Sequence, residues 1–299
     1  MDVAVTSLAE TSIEHHHAEL DGVRLHYVEA GPRTGRPIVL LHGFPEFWYA
    51  WRHQIPALAR AGLRVIAPDM RGYGESDKPR GVASYAVETL ADDVAGLVRA
   101  VGAERATIVG HDWGGIVAWW FAMRHPELLD RLVVLNCPHP GRQLAMTFDP
   151  AQLRRSFYML FFQLPKLPEL LLAHGGSARL KAGLARDAAH RDAFGDVDLE
   201  RYGGAWAGAF EPMLNYYRAL LRRSPWTLRR QLRTIDKPVQ VIWGARDRHL
   251  GFEYAEPPAK WVWHCRFDVI DDATHWVHLD VPARVNALIL DFLGLRGGS

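Results

Sequence analysis

Six short apolar runs constrain the fold of this 299-residue chain more than any other feature of its sequence. The runs are rich in β-branched side chains, and most of them end next to Gly, Pro or Asp. Within them apolar residues follow one another with little alternation, which is typical of strands buried on both faces of a sheet. We therefore predict a parallel sheet covered by helices. The runs occupy residues 37–41, 64–67, 107–109, 132–135, 239–243 and 267–270.

Helical patterns fall between these runs. Leucine and valine recur at helical spacing over residues 90–98, with charged residues on the opposite face. Residues 116–123 (IVAWWFAM) are apolar almost all round, which predicts a buried central helix. We expect the last helix to start at Asp280 as its N-cap, with Pro282 in its first turn. Ahead of the sheet, residues 20–29, which contain an Asp-Gly turn, indicate an antiparallel lead-in.

The alternation of strands and helices stops near residue 138 and resumes near residue 237. The intervening segment is rich in Leu, Arg and aromatic residues and contains no strand-like run, which indicates a helical insertion. Doubly wound sheets carry their sites at the carboxyl ends of their strands, so an insertion after the fourth run would emerge beside the site. We expect a core at residues 1–140 and 234–299 and an inserted helical cap, or lid, at residues 141–233.

Composition excludes several classes of function. The formal net charge is +1, and the Arg-rich stretches are interspersed with leucine and aromatic residues, so nucleic acid is not an expected partner. No segment has the roughly 20 apolar residues of a membrane span, and the first 17 residues lack the regions of a signal peptide. Cys137 and Cys265, far apart in sequence, form no disulfide framework. These features predict a cytoplasmic protein without a membrane span.

The run of three histidines at residues 15–17 contains residues of a type that often bind metal ions. Adjacent residues of an extended segment point in different directions, so they do not converge on one ion. We interpret the run as solvated, and we predict neither a metal nor a cofactor.

The segment VGHDWGG, residues 109–115, has the Gly-x-nucleophile-x-Gly pattern of a strained turn between a strand and a helix. Asp112 stands where a hydrolase usually carries serine. Small neighbours are needed because the backbones approach closely there, and glycines supply them. An aspartate that merely caps a helix is the simpler alternative, but the strand before Asp112 and the buried helix after it favour a nucleophile.

An acid and then a histidine should follow a nucleophile of this kind along the chain. Asp247 in WGARD and His275 in DDATHWVHLD both follow predicted strands at their carboxyl ends. Asp271 and Asp272 are rival acids and His278 is a rival base, and we interpret these three as turn and supporting residues.

The segment His42-Gly43-Phe44-Pro45 follows the first predicted strand. A loop at that point supplies one backbone N–H of an oxyanion hole, and the residue after the nucleophile supplies the other. These amides are those of Phe44 and Trp113. The alternative is an ordinary turn whose shape is set by Pro45.

A carboxylate gains little by attacking an ester, but at a saturated carbon it displaces a leaving group and forms an alkyl ester on the enzyme. Water activated by His275 and oriented through Asp247 would then cleave that ester. A halide leaves without a proton, whereas an epoxide oxygen needs proton donors such as phenols. The predicted cap offers Tyr158 and Tyr217, although packing of amphipathic helices is the better explanation of both at this point.

HGFPEFW, GHDWGG, the contexts of Asp247 and His275, and the cap resemble those of the α/β-hydrolase-fold epoxide hydrolases, the soluble cofactor-independent type, over residues 23–293. The first two motifs are shared with haloalkane dehalogenases. The cap contexts at residues 158–163 and 215–218 resemble the epoxide hydrolases, and this implies that Tyr158 and Tyr217 open the ring. Tyr216 should point elsewhere, because adjacent helical residues do not share a face.

Several positions separate the two families or depart from the expected pattern. Phe44 has no side-chain donor for a halide, which departs from the dehalogenases. Residues 163–166 (QLPK) stand where epoxide hydrolases often have Pro-Gly, and His278 stands where Gln is common.

The resemblance implies an α/β-hydrolase fold, a mostly parallel doubly wound sheet with an inserted helical cap, and hydrolysis of mainly apolar epoxides to vicinal diols. Phe44, Trp113, Met159 and Phe161 are the expected substrate-binding residues. A dehalogenase and a catalytically silent ligand-binding protein are the alternative functions. The oligomeric state is left open, with a homodimer as one option.

Overall fold

An eight-stranded sheet forms the centre of the computed structural model, which describes residues 8, 11–175 and 177–295. Its order is β1-β2-β4-β3-β5-β6-β7-β8; the first two neighbouring pairs are antiparallel and the other five are parallel. All six predicted runs lie within strands, so the predicted parallel sheet is confirmed. The strands are β1 (Glu14–Leu20), β2 (Val23–Ala30), β3 (Pro37–Leu41), β4 (Arg64–Pro68), β5 (Ala106–His111), β6 (Leu129–Leu135), β7 (Val239–Gly244) and β8 (Cys265–Ile270).

Helices from the two parts of the core cover the sheet. The α2 and α3 helices pack against each other, and α1 packs against α13. As predicted, α3 is buried on nearly every face, and it ends just before Pro126. The core helices are α1 (Gln54–Arg60), α2 (Val87–Ala100), α3 (Trp113–Arg124), α12 (Val277–Asp280) and α13 (Pro282–Phe292).

The described residues between β6 and β7 lie in helices and loops, apart from one isolated β-bridge at Ile235, as expected for a helical insertion. The division into residues 1–140, 141–233 and 234–299 remains our proposal for the domains. Among the residues that the structure describes, no helix combines the length and apolar character needed to cross a bilayer. The helices of this cap are α4 (Gln143–Phe148), α5 (Pro150–Arg155), α6 (Phe157–Phe161), α7 (Leu167–Ala173), α8 (Ala178–Asp187), α9 (Asp196–Ala205), α10 (Phe210–Leu221) and α11 (Pro225–Gln231).

The antiparallel lead-in is present, but its first strand starts earlier than predicted. β1 includes the three histidines and pairs with β2 across the Asp-Gly turn. None of the three is buried, and His15 Nδ1 lies 2.9 Å from His26 Nε2. Residues 1–7, part of the segment that we judged not to be a signal peptide, lie outside the described residues.

The predicted start of the last helix was wrong. Asp280 ends α12, and α13 begins at Pro282. The Asp280 carboxylate instead accepts hydrogen bonds from the backbone N–H of Ala189 in the cap and from the N–H and hydroxyl of Thr274. These tertiary donors replace the helix amides that an N-cap would bind.

Candidate active site

Asp112 lies between the last residue of β5 and the first residue of α3. Its backbone adopts φ 49° and ψ −118°, a conformation that costs free energy for any residue other than glycine. A side chain at Gly114 would overlap the carbonyl of Leu41 at the end of β3, so glycine lets α3 start this close to the sheet. The turn therefore holds the Asp112 carboxylate at the carboxyl edge of the parallel strands.

Two groups contact the Asp112 carboxylate from different loops. The backbone N–H of Phe44 donates to Oδ1 at 2.9 Å, and His275 Nε2 lies 3.5 Å from Oδ2. Trp113 is the first residue of α3, so its N–H belongs to the helix amides that lack an intrahelical acceptor. The two amides expected to form an oxyanion hole therefore flank Asp112 along the loop and the helix.

Asp247 holds the other side of the His275 ring. His275 Nδ1 lies 2.8 Å from Asp247 Oδ2, which also accepts from Asn136 Nδ2 at 2.8 Å. The other carboxylate oxygen accepts from the backbone N–H groups of His249 and Leu250. Asp247 is thus fixed by four donors, counting the imidazole.

The rival residues lie elsewhere. Asp271 and Asp272 are exposed in a turn, and Asp272 accepts from Arg284. His278 is buried with Nε2 3.2 Å from Glu46 Oε1, so it does not contact Asp112.

The charges of the three groups are coupled. Burial alone would raise the pKa of Asp247, but His275 and the hydrogen bonds of the loop lower it to about 2. The pKa of Asp112 is also lowered, because His275 and the Phe44 amide outweigh burial. Both carboxylates hold the pKa of His275 well above its usual value, despite the burial that would lower it. These interactions favour the imidazolium form of His275 between the two carboxylates in the resting site.

Glu46 and His111 support this site, and neither was among the candidate residues of the sequence analysis. His111 Nδ1 lies 2.8 Å from Glu46 Oε2, and its Nε2 lies 2.9 Å from the backbone oxygen of His275. Glu46 also accepts from the Gly43 N–H at 2.8 Å. This buried pair therefore joins the loop of Phe44 to the loop of His275. In the sequence, Glu46 directly follows the HGFP segment and His111 directly precedes Asp112, and this adjacency is the signal that indicates their supporting role.

Two groups of side chains bring potential metal-ligand atoms within 4.8 Å of one another in the described structure. In the first, Glu46 already binds both His111 and His278. In the second, which joins His15, His26 and Glu75, a ring nitrogen of His15 lies at hydrogen-bonding distance from one of His26. Hydrogen bonds between the members account for the first group and for the two histidines of the second.

A cavity of about 260 Å³ opens above Asp112 and His275, and Tyr158 and Tyr217 line it from the cap. Tyr158 lies on α6 and Tyr217 on α10, with ring centroids 5.9 Å apart. Burial raises the pKa of both phenols, so both carry their protons at neutral pH. The cap therefore brings two hydroxyl donors to the cavity that holds the carboxylate.

The wall of the cavity differs from the expected substrate-binding set. Phe44 lines the cavity, whereas Met159, Phe161 and Trp113 are not among its lining residues. Successive residues of a helix point about 100° apart, so α6 cannot direct Met159 to the side that Tyr158 faces. The Trp113 ring packs edge-on against Tyr217 at 5.0 Å. The cap helix α8 supplies much of the wall instead.

Tyr216 points away from the cavity, as predicted. Its hydroxyl donates to the backbone oxygen of Arg71 at 2.6 Å. Arg218, one residue beyond Tyr217, is buried and donates to the backbone oxygens of Phe162 and Leu164. It therefore ties α10 to the loop that follows α6.

Residues 36–282 match a family described as the alpha/beta hydrolase fold. The AB hydrolase superfamily protein YfhM of Bacillus subtilis is 43% identical, over 91% of this chain and 95% of its own length. Epoxide hydrolase 3 of Xenopus tropicalis is 37% identical, over 91% of this chain and 75% of its own length.

A crystal structure of a Bacillus megaterium epoxide hydrolase in complex with an inhibitor superposes with a TM-score of 0.86 at 29% identity. It covers 93% of this chain and 100% of the other. The fold of this chain is therefore similar to that of a solved epoxide hydrolase over most of its length. The chain belongs to the α/β-hydrolase fold family, within the branch that contains the epoxide hydrolases.

Proposed function

We propose that this protein is an epoxide hydrolase that converts epoxides to vicinal diols through a covalent ester on Asp112. The observation that carries the proposal is one cavity lined by Asp112, His275, Tyr158 and Tyr217. The epoxide hydrolases among the similar proteins support the same activity.

In the first half-reaction an oxygen of Asp112 attacks a carbon of the ring, and the bond from that carbon to the epoxide oxygen breaks. The departing oxygen is a strongly basic alkoxide, so it takes a proton from Tyr158 or Tyr217 while the other phenol donates a hydrogen bond. A halide would need no such proton. The paired phenols therefore favour epoxides over haloalkanes.

Alkylation changes the charge around His275. The ester on Asp112 is neutral, so His275 loses one of the two carboxylates that raise its pKa. His275 therefore gives up its proton more readily once the nucleophile has reacted, and this proton restores the phenol that protonated the alkoxide. The histidine is thus a poor base in the resting site and a better one when the ester needs hydrolysis.

In the second half-reaction His275 Nε2 takes a proton from water, and the hydroxide adds to the ester carbonyl of Asp112. The N–H groups of Phe44 and Trp113 stabilise the oxyanion that forms. This intermediate collapses by breaking the bond from the carbonyl carbon to the diol oxygen, which takes the proton of the new carboxyl group, so that the Asp112 carboxylate is restored and the diol is released. Asp247 keeps the imidazole oriented and stabilises its positive charge.

Replacing Asp112 tests the proposal. We expect Asp112→Ala to abolish diol formation from an aryl epoxide such as styrene oxide, because no nucleophile remains. A single turnover of wild-type enzyme in ¹⁸O-labelled water should give a first diol that carries an unlabelled oxygen from Asp112. Undiminished turnover by the variant, or label in the first diol, would show that water attacks the epoxide directly.

A further inference from the structure

Asp187 is the last residue of cap helix α8, and its carboxylate contacts both catalytic loops. Asp187 Oδ2 lies 2.6 Å from His249 Nε2 and accepts from Trp276 Nε1 at 3.1 Å. His249 follows Asp247 by two residues, and Trp276 directly follows His275. One oxygen of the cap therefore joins the loop of the acid to the loop of the base.

The position of this carboxylate is unfavourable for the helix itself. An acidic side chain at the carboxyl end of a helix opposes the helix dipole. No lysine or arginine within the described ranges pairs with Asp187, and its side chain is only 18% exposed. The two ring N–H groups therefore provide the stabilisation that α8 does not.

The two rings that Asp187 binds also enclose the imidazole of His275. The His249 ring lies edge-on to it at 5.1 Å, and the Trp276 ring lies edge-on at the same centroid distance. The backbone N–H of His249 donates to Asp247 at 2.8 Å. Asp187 thus restrains the neighbours of the catalytic base without contacting Asp112.

We infer that Asp187 is a positioning residue for ester hydrolysis, acting through His249 and Trp276 on the orientation of His275. The inference rests on the proposed function. Alkylation needs Asp112 and the two tyrosines, whereas hydrolysis also needs an imidazole aimed at water. Loss of Asp187 should therefore slow the second half-reaction more than the first.

The Asp187→Ala variant tests this role with styrene oxide. We expect kcat to fall about tenfold and KM to fall with it, because kcat/KM reports steps up to alkylation and stays nearly constant. Mass spectrometry of acid-quenched enzyme should show the alkyl ester accumulating. Asp187→Asn keeps an amide oxygen that accepts both N–H groups, so it should restore most of kcat.

Two further variants separate positioning from general damage to the cap. Glu200→Ala removes a cap carboxylate that pairs with Lys181 at 2.8 Å and does not line the cavity, and it should leave kcat and KM unchanged. His249→Phe keeps a ring beside His275 but loses the bond to Asp187. Combining it with Asp187→Ala should lower kcat less than the product of the two single effects, since they share one contact.

The outcomes distinguish this inference from the proposed function. A lower kcat at unchanged KM without ester accumulation would mean a smaller fraction of folded enzyme, and it would overturn the role of Asp187. Whatever the role of Asp187, His275→Gln should trap the ester, because it removes the base that activates water. If that variant traps it and Asp187→Ala does not, only the present inference fails; if neither traps it, the covalent scheme fails and the inference with it.

Discussion

In the proposed reaction, Asp112 determines which class of substrate the turn between β5 and α3 can attack. The close packing of Gly114 against β3 maintains its strained backbone conformation, and Phe44 and His275 contact its carboxylate. A serine in the same backbone position would suit acyl transfer, whereas the carboxylate suits displacement at saturated carbon. In the proposed reaction, ring opening also depends on the phenols of Tyr158 and Tyr217, which lie far from Asp112 in sequence.

Removing one phenol hydroxyl should slow ring opening. We expect Tyr158→Phe or Tyr217→Phe to lower the rate of alkylation about 10- to 100-fold, and the double variant to lose at least the roughly 10²- to 10⁴-fold that proton donation contributes. Stopped-flow measurement of alkylation is the assay.

Tyr216→Phe is the matched control for these variants. Its hydroxyl is hydrogen-bonded to Arg71 within the core, so the substitution should reduce stability and leave the alkylation rate unchanged. Equal rate losses in all three variants would mean that the tyrosines act only through packing.

The α10 helix shows how one element serves two functions. Tyr216 and Tyr217 lie on different sides of it, so one anchors the helix to the core and the other reaches the cavity. Arg218 then fixes the helix against the segment after α6 through two backbone oxygens and Glu169, with Nη1 2.7 Å from Glu169 Oε1. The distance between the two cavity-lining phenols, those of Tyr158 and Tyr217, therefore depends on a residue outside the cavity.

Substituting Arg218 should loosen this arrangement. Arg218→Lys keeps the charge but cannot donate to Phe162, Leu164 and Glu169 together, because a lysine lacks the planar fork of donors. We expect kcat/KM for styrene oxide to fall about tenfold and amide hydrogen exchange to rise over residues 157–170. Arg222→Lys, at an exposed position one turn later, is the control. Unchanged exchange in Arg218→Lys would refute this role.

Two buried histidines should make the stability of the whole protein depend on pH. Burial lowers the pKa of His139 to about 3 and that of His278 to about 4, so both are neutral in the folded protein at mildly acidic pH. Below about pH 6.5 the unfolded chain binds protons at these positions and the folded chain does not. The free energy of unfolding should therefore fall as pH falls from about 6.5 towards 4, by up to about 1.4 kcal/mol per pH unit for each histidine.

His139→Asn should make stability less dependent on pH in this window. The asparagine oxygen can accept the Gly141 N–H that His139 Nδ1 now accepts, so the fold should be retained. Urea unfolding at pH 7 and pH 5 should give a smaller difference for the variant than for wild type. His174→Asn, at an exposed position, should behave like wild type. Identical pH differences for His139→Asn and wild type would contradict the prediction.

Local patterns were sufficient to predict the sheet and the helical insertion. Short apolar runs rich in β-branched residues predicted the strands, and the longer apolar segment at residues 116–123 predicted the buried helix. The chain order of the proposed nucleophile, acid and histidine was expected from the motif around Asp112. The prediction of Asp280 as an N-cap was wrong, because N–H groups from Ala189 and Thr274 bind its carboxylate in place of helix amides. Propensity describes a residue's neighbours in sequence, and it cannot anticipate donors from elsewhere in the fold.

The sequence by itself determined the sheet and the strained turn at Asp112. The strands depend on short-range patterns of apolar residues, and the turn depends on glycines at fixed positions around Asp112. Only the tertiary structure decided which face of α6 meets the cavity, that α8 forms its wall, and that Asp187 reaches both catalytic loops. Those contacts join residues about 60 to 90 positions apart. They depend on how the cap packs on the core, and no local pattern of residues specifies that packing.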